Sequence, residues 1–177
     1  MFSIRNATTD DIALIRELSF KIWPQTYAAI ISKEQIDYMM KLMYSKTSLQ
    51  KQMMQGSQFI IAYDNEEPVG FAAYQETAPA VFKLLKIYVL LSQQGKGTGK
   101  FIIAHIVEKI KSKNAEALQL QVNRNNNARF FYEKLGFQIL KEINLDIGNG
   151  FFMNDYVMQL SLGPEAKKKN FEKLNGE

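Results

Sequence analysis

Apolar positions recur along this chain with two periods, and the switches between them mark out its elements. Phe2–Asn6 alternates as a short strand. Thr8 or Thr9 then offers a helix cap, with Asp10 and Asp11 in the first turn, where the helix dipole favours acids. Leu14, Ile15, Leu18 and Ile22 follow at helical spacing. Trp23-Pro24 predicts a break there, because proline has no N–H and its ring clashes with the preceding turn. Residues 25–31 are expected to be briefly helical or irregular. Ser32 with Gln35 forms a capping-box pattern ahead of the apolar stripe Ile36, Met39, Met40 and Met43. Leu49, Met53 and Met54 suggest another helix, closed by Gly56. Strands are predicted at residues 58–63 and 69–76, around a turn at 64–68, and then over Val81–Val89. Phe101, Ile102, Ile103, Ile106, Val107 and Ile110 return to the helical period. A strand at Ala117–Asn123, a helix at 126–135 closed by Gly136, and strands at 137–145 and 151–160 across a Gly/Asn-rich turn complete the pattern. The order predicts one mixed α/β domain over residues 1–162. A charged tail follows at 163–177, carrying Lys167-Lys168-Lys169 and expected to be frayed or a terminal helical extension.

Between the strand ending at Val89 and the next helix stands Gln94-Gly95-Lys96-Gly97-Thr98-Gly99-Lys100. A strand, a glycine loop and a helix in that order leave backbone N–H groups unpaired at a helix N-terminus, where the dipole favours negative charge. Glycine lets such a backbone adopt positive φ and approach an anion closely. The ligand this chemistry suits is a phosphate or pyrophosphate; the alternative is a surface turn that only caps the helix. A Walker A loop is excluded, since Gly95 to Gly99-Lys100 is one residue short and Phe101 stands where Ser or Thr should hold magnesium. The dinucleotide fingerprint is excluded as well, because the three glycines are spaced by two throughout.

Composition narrows the chemistry further. The 177 residues contain no Cys, which removes disulfides, thiolate catalysis and Cys-ligated zinc. His105 is the only histidine and falls inside the helix after the glycine loop, where a structural or solvated role is expected. A metal site would have to be built mainly from carboxylates, and no metal is expected. The formal charge of +4 suits a polyanionic ligand but is too small to point to nucleic acid. The first residues lack a signal-peptide core, and no apolar run approaches the length of a membrane span. A soluble cytoplasmic protein is expected, with a homodimer as the candidate assembly and no membrane or nucleic-acid partner.

The glycine loop meets a second pattern at residues 121–137. Gln94, Gly97 and Gly99 fit the Q/R-x-x-G-x-G/A loop, and Asn125, Ala128 and the run from Tyr132 to Phe137 fit Asn-x-x-Ala followed by Tyr-Glu-Lys-Leu-Gly-Phe. In this order the two motifs resemble the GNAT superfamily of N-acetyltransferases, over roughly residues 2–160. The stretches at 35–39, 86–89 and 147–158 are similar to the PaiA-type group, which includes spermidine/spermine N-acetyltransferases. The resemblance implies a GNAT fold, a mixed central sheet of about seven strands flanked by helices and splayed between its two central strands. It also implies acetyl transfer from acetyl-CoA to an amine.

Residue roles follow from the same resemblance. Gln94, Gly95, Lys96, Gly97, Thr98, Gly99 and Lys100 would hold the pyrophosphate. Ile87, Tyr88 and Val89 would pair with the pantetheine arm, and a backbone N–H near Val89 would receive the oxyanion. Asn125 either contacts the cofactor arm or caps the next helix. Tyr132 is either the general acid, with a phenol near pKa 10 suited to protonating a thiolate, or a core ring under Phe137. Some family members carry a Glu on the strand before the loop; here Lys83 and Lys86 occupy that strand. Glu76 is the candidate base, or the amine binds already neutral. A polyamine acceptor would require local carboxylates, for which Asp37, Glu76 and Asp155 are the candidates, each alternatively a solvated charge. A peptide or protein amine is the other acceptor class, and a catalytically silent CoA-binding module the other kind of protein.

Overall fold

The structure, a computed structural model, describes residues 1–164; the lysine-rich tail expected beyond them lies outside the described residues. Among the described residues there are seven strands and five α-helices. The strands are β1 (Phe2–Asn6), β2 (Gln58–Asp64), β3 (Glu67–Ala78), β4 (Val81–Val89), β5 (Ala117–Asn123), β6 (Gln138–Gly148) and β7 (Phe151–Ser161). The helices are α1 (Ile12–Tyr27), α2 (Lys33–Tyr44), α3 (Lys46–Met54), α4 (Thr98–Lys111) and α5 (Ala128–Lys134). The strands form one open mixed sheet in the order β1-β2-β3-β4-β5-β7-β6. β4 and β5 are paired in parallel, in a ladder running from Val81/Ala117 to Leu84/Leu120. β4 continues to Val89 and β5 to Asn123, each beyond the last rung of that ladder.

The chain divides into two compact units, the first made of Met1–Gln75 with Leu85–Ala104 and the second of Glu76–Leu84 with the residues from His105 onward. In the first, β1 to β3 form an antiparallel meander. Ile15, Leu49, Ile60, Ile61 and Phe71 form its sealed core. In the second, β5, β7 and β6 are antiparallel neighbours, with Leu118 and Met158 fully buried.

Several strands run one to three residues past the ranges read from the sequence, β3 over Glu67–Ala78 and β6 to Gly148 among them, and two helix boundaries differ for a reason the side chains show. α1 does not break at Trp23-Pro24 but runs on to Tyr27. Pro24 removes one backbone bond, yet Trp23 is buried with its indole N–H donating to the Tyr44 hydroxyl at 3.1 Å and its ring 4.4 Å from that of Tyr27. That packing, together with the Ala28 N–H to Pro24 carbonyl bond at 3.1 Å, holds the last turn together. α5 begins at Ala128 rather than 126. Asn123 and Asn126 explain this, since their side-chain oxygens accept from the backbone N–H of Asn125 and Ala128, each at 2.9 Å. Asparagine favours such local turns over helix.

Candidate active site

The glycine loop is built in the first unit on a short 3₁₀ turn, Leu91–Gln93, after β4. Gly95 and Gly97 take φ of +78° and +87°, conformations that L side chains rarely adopt. A Cβ at either would meet nothing within 4 Å, so the loop's outer side is open. Two of its amides are spent within the turn, Gln94 on Leu91 O at 3.1 Å and Lys96 on Gln93 O at 3.2 Å. The first intrahelical bond runs from Phe101 N to Gly97 O at 2.9 Å. Among the described residues, the amides of Gly95, Gly97, Thr98, Gly99 and Lys100 therefore donate to nothing. Five open amides at the start of a 14-residue helix, with exposed Lys96 and Lys100 beside them, form a concentrated anion receptor.

The loop's anchor is a residue the motif does not include. Gln93 is buried; its amide donates to Asp64 at 3.3 Å and its oxygen accepts from the Thr98 hydroxyl at 3.2 Å. The Thr98 side chain is thus committed to the scaffold, and only its backbone amide is left open. Gln93 and Gln94 are adjacent and alike in sequence, so no local signal separates the buried anchor from the exposed motif residue.

Ile87, Tyr88 and Val89 form the end of β4, half-buried. The Tyr88 hydroxyl lies 3.0 Å from that of Tyr27, and its ring packs 5.6 Å from Trp23 and 5.8 Å from Phe71. The Tyr88 phenol is thus taken up by the packing of the first unit. Gly70 on β3 makes the close approach there possible, since a Cβ on it would fall 2.6 Å from the Tyr88 carbonyl oxygen. Lys86, on the same strand, is buried with its ammonium 4.8 Å from the centre of the Tyr44 ring. Burial pushes its pKa down to about 8.

Tyr132, Asn125, Glu76 and Asp155 lie in the second unit. Tyr132 is buried on α5, edge-on to Phe137 at 5.7 Å and 5.3 Å from Phe131, so its ring is held in one orientation. Asn125 is exposed, and it does not cap α5: Asn126 makes the bond to Ala128, and the Asn125 carboxamide makes none among the described residues. Glu76 is exposed and accepts from the Ala80 N–H at 3.1 Å, tying the turn between β3 and β4. Asp155 on β7 is 3% exposed, not a solvated charge. Burial raises its pKa to about 6, against the pull of Lys83 and Arg124. Lys83 donates to the Gln121 side chain, and burial lowers its pKa.

Asp37, in the first unit, is exposed and forms a 2.5 Å pair with Lys33 one turn earlier on α2. His105 is half-buried on α4 with its pKa lowered by burial, and has no hydrogen bond among the described residues. Among the described residues no three His, Asp or Glu side chains come together to hold a metal ion, and no helix is long and apolar enough to cross a membrane.

Comparison with known proteins places these features in context. The profile of the acetyltransferase (GNAT) domain matches residues 27–159. A spermidine N(1)-acetyltransferase of Thermoplasma acidophilum is 28% identical over 142 residues, 77% of this chain and 88% of that protein. The [ribosomal protein bS18]-alanine N-acetyltransferase of Haemophilus influenzae is 36% identical over 74 residues, which span 42% of this chain and half of that protein. The crystal structure of the PaiA N-acetyltransferase of T. acidophilum in complex with coenzyme A superposes with a TM-score of 0.78 at 25% identity, covering 92% of this chain and 99% of the other.

Proposed function

The chain belongs to the GNAT acetyltransferase family and is an N-acetyltransferase using acetyl-CoA; from that premise we propose that its acceptor is a small primary amine, with a polyamine such as spermidine as the lead candidate. The observation that carries the cofactor assignment is the set of five open amides at the start of α4. They suit the pyrophosphate of CoA, with Gln94, Gly95, Lys96, Gly97, Thr98, Gly99 and Lys100 as the loop and Lys96 and Lys100 as its cations. Ile87, Tyr88 and Val89 are the residues proposed for the pantetheine arm, and Asn125, whose carboxamide is unspent, for a further cofactor contact.

Acetyl transfer requires an amine to attack the thioester carbonyl, a tetrahedral oxyanion to be stabilised, and CoA to leave as a thiolate. In this proposal a backbone N–H near Val89 receives the oxyanion. Tyr132 supplies the proton for the thiolate; its packing against Phe137 holds the ring still, which favours that role. The polyamine reading draws on the similarity to the Thermoplasma enzyme and on carboxylates at Asp37, Glu76 and Asp155. Of the three, Asp37 is already paired with Lys33 and Glu76 with the Ala80 N–H, so either would exchange that bond for a substrate ammonium. The second reading, acetylation of a peptide N-terminus, draws on the local similarity to the bS18-alanine enzyme. We place the protein in the cytoplasm and its domain over residues 1–162.

Thiol release from acetyl-CoA across a panel of polyamines, monoamines and peptide N-termini tests this. Turnover with spermidine and weak turnover with peptides is expected. Inert spermidine beside an active peptide would transfer the assignment to the second reading.

A further inference from the structure

β5 is an interior strand, yet one of its faces is polar. Leu118, Leu120 and Val122 are buried on one side, while Gln119, Gln121 and Asn123 alternate on the other. Most of the polar groups on that second face are satisfied by one another. Gln119 donates to Gln159 of β7 at 2.8 Å, Lys83 donates to Gln121, and Asn123 accepts from the Asn125 N–H. Asp155 is the exception. It pairs in register with Asn123, the last residue of β5, and so shares this face. Among the described residues no hydrogen bond or ion pair reaches its carboxylate. Among the described residues no fully enclosed side-chain nitrogen or oxygen lacks a partner, so the unpartnered Asp155 oxygens must reach solvent through the remaining opening. A carboxylate enclosed on nearly all sides and left without a donor is expensive to maintain unless something binds to it.

We propose that Asp155, on β7 opposite the C-terminal end of β5, is the proton acceptor for the reacting amine, with Lys83 and Gln121 as the positioning pair on the same face. The inference rests on the acetyltransferase reading and supplies the base that β4 lacks. As the amine nitrogen forms its bond to the acetyl carbon and the carbon–sulfur bond breaks, CoA departs as thiolate. The proton shed by the nitrogen passes to the Asp155 carboxylate and from there to water. Two cations act on Asp155, Lys83 on β4 and Arg124 after β5; Glu142 on β6 pairs with Arg124 at 2.8 Å and stands opposite Tyr156, not Asp155. Burial outweighs the two cations and raises the pKa to about 6, which leaves the group ionised at neutral pH but more basic than a surface carboxylate.

The test uses the full chain with acetyl-CoA and whichever amine the panel shows to be acetylated. Wild-type kcat is expected to fall on the acid side with an apparent pKa near that of Asp155. Asp155→Asn should lower kcat by about 10²-fold or more, erase the acid limb and leave the KM for acetyl-CoA in place, with Asp155→Glu retaining a limb. A thermal melt checks that each variant is folded, and ¹³C NMR titration of the wild-type carboxyl gives the same pKa without turnover. A raised amine KM at unchanged kcat would make Asp155 a cation holder and overturn the proposal, as would an acid limb that survives Asp155→Asn or an ordinary surface value in the NMR titration. Thiol release from no amine at all would instead bring down the acetyl-transfer reading, and this inference with it.

Discussion

Lys86 provides a sharp test of how this protein tolerates charge in its interior. Its side chain is 8% exposed, on the strand face it shares with Phe82 and Leu84. It has no hydrogen bond or ion pair among the described residues, only the Tyr44 ring beneath its ammonium. Burial lowers the pKa from 10.5 to about 8, so the group is still charged at neutral pH. Keeping the proton there costs roughly 3 kcal/mol relative to solvent, offset by about 1–2 kcal/mol of cation–π attraction. Methionine has similar length and no charge, so Lys86→Met should be more stable than wild type by about 1–2 kcal/mol at pH 7. The sign with pH follows from the lowered pKa. Between about 8 and 10.5 the unfolded chain holds more protons than the folded one, so wild-type stability rises with pH in that window. The advantage of the variant should therefore shrink as pH climbs. Urea unfolding of both proteins at pH 7 and about pH 10 reads this directly. A variant less stable than wild type by more than about 1 kcal/mol at pH 7, or a gap that does not move with pH, would refute the reasoning.

Other outcomes follow from the same packing. Acetyl-CoA should raise the melting temperature through the open amides of the glycine loop while ATP with magnesium does not; an equal shift with both would remove the loop assignment. Tyr132→Phe keeps the ring against Phe137 and loses only the hydroxyl, so acetyl-CoA affinity should hold while turnover drops about 10²–10⁴-fold where chemistry limits the rate; unchanged turnover returns Tyr132 to the core. Gly70→Ala should destabilise the fold by about 1–3 kcal/mol and raise the KM for acetyl-CoA, because the new methyl would press on the Tyr88 carbonyl at 2.6 Å. Wild-type stability with intact cofactor binding in that variant would show that β3 moves aside at little cost.

Much of this architecture was already legible in the chain, because its signals are local. β1, β4 and β5 begin and end where alternation begins and ends, since period-two patterning reports a strand's own two faces. The glycine loop was legible for the same reason: positive φ at Gly95 and Gly97 is a property of the residue itself. The local rule failed at Pro24, where α1 continues because Trp23 is fastened to Tyr44, a residue 21 positions away. What only the tertiary structure decided is which polar residues are enclosed. Asp37, Glu76 and Asp155 look alike as acids in a sequence. The structure leaves the first in an exposed pair, ties the second to a turn, and buries the third beside Lys83. Likewise nothing in Gln93-Gln94 distinguishes the anchor from the motif residue until Asp64 and Thr98 close on one of them. Burial and desolvation are set by neighbours brought from distant positions, so the residues whose chemistry they alter become visible only once the chain has folded.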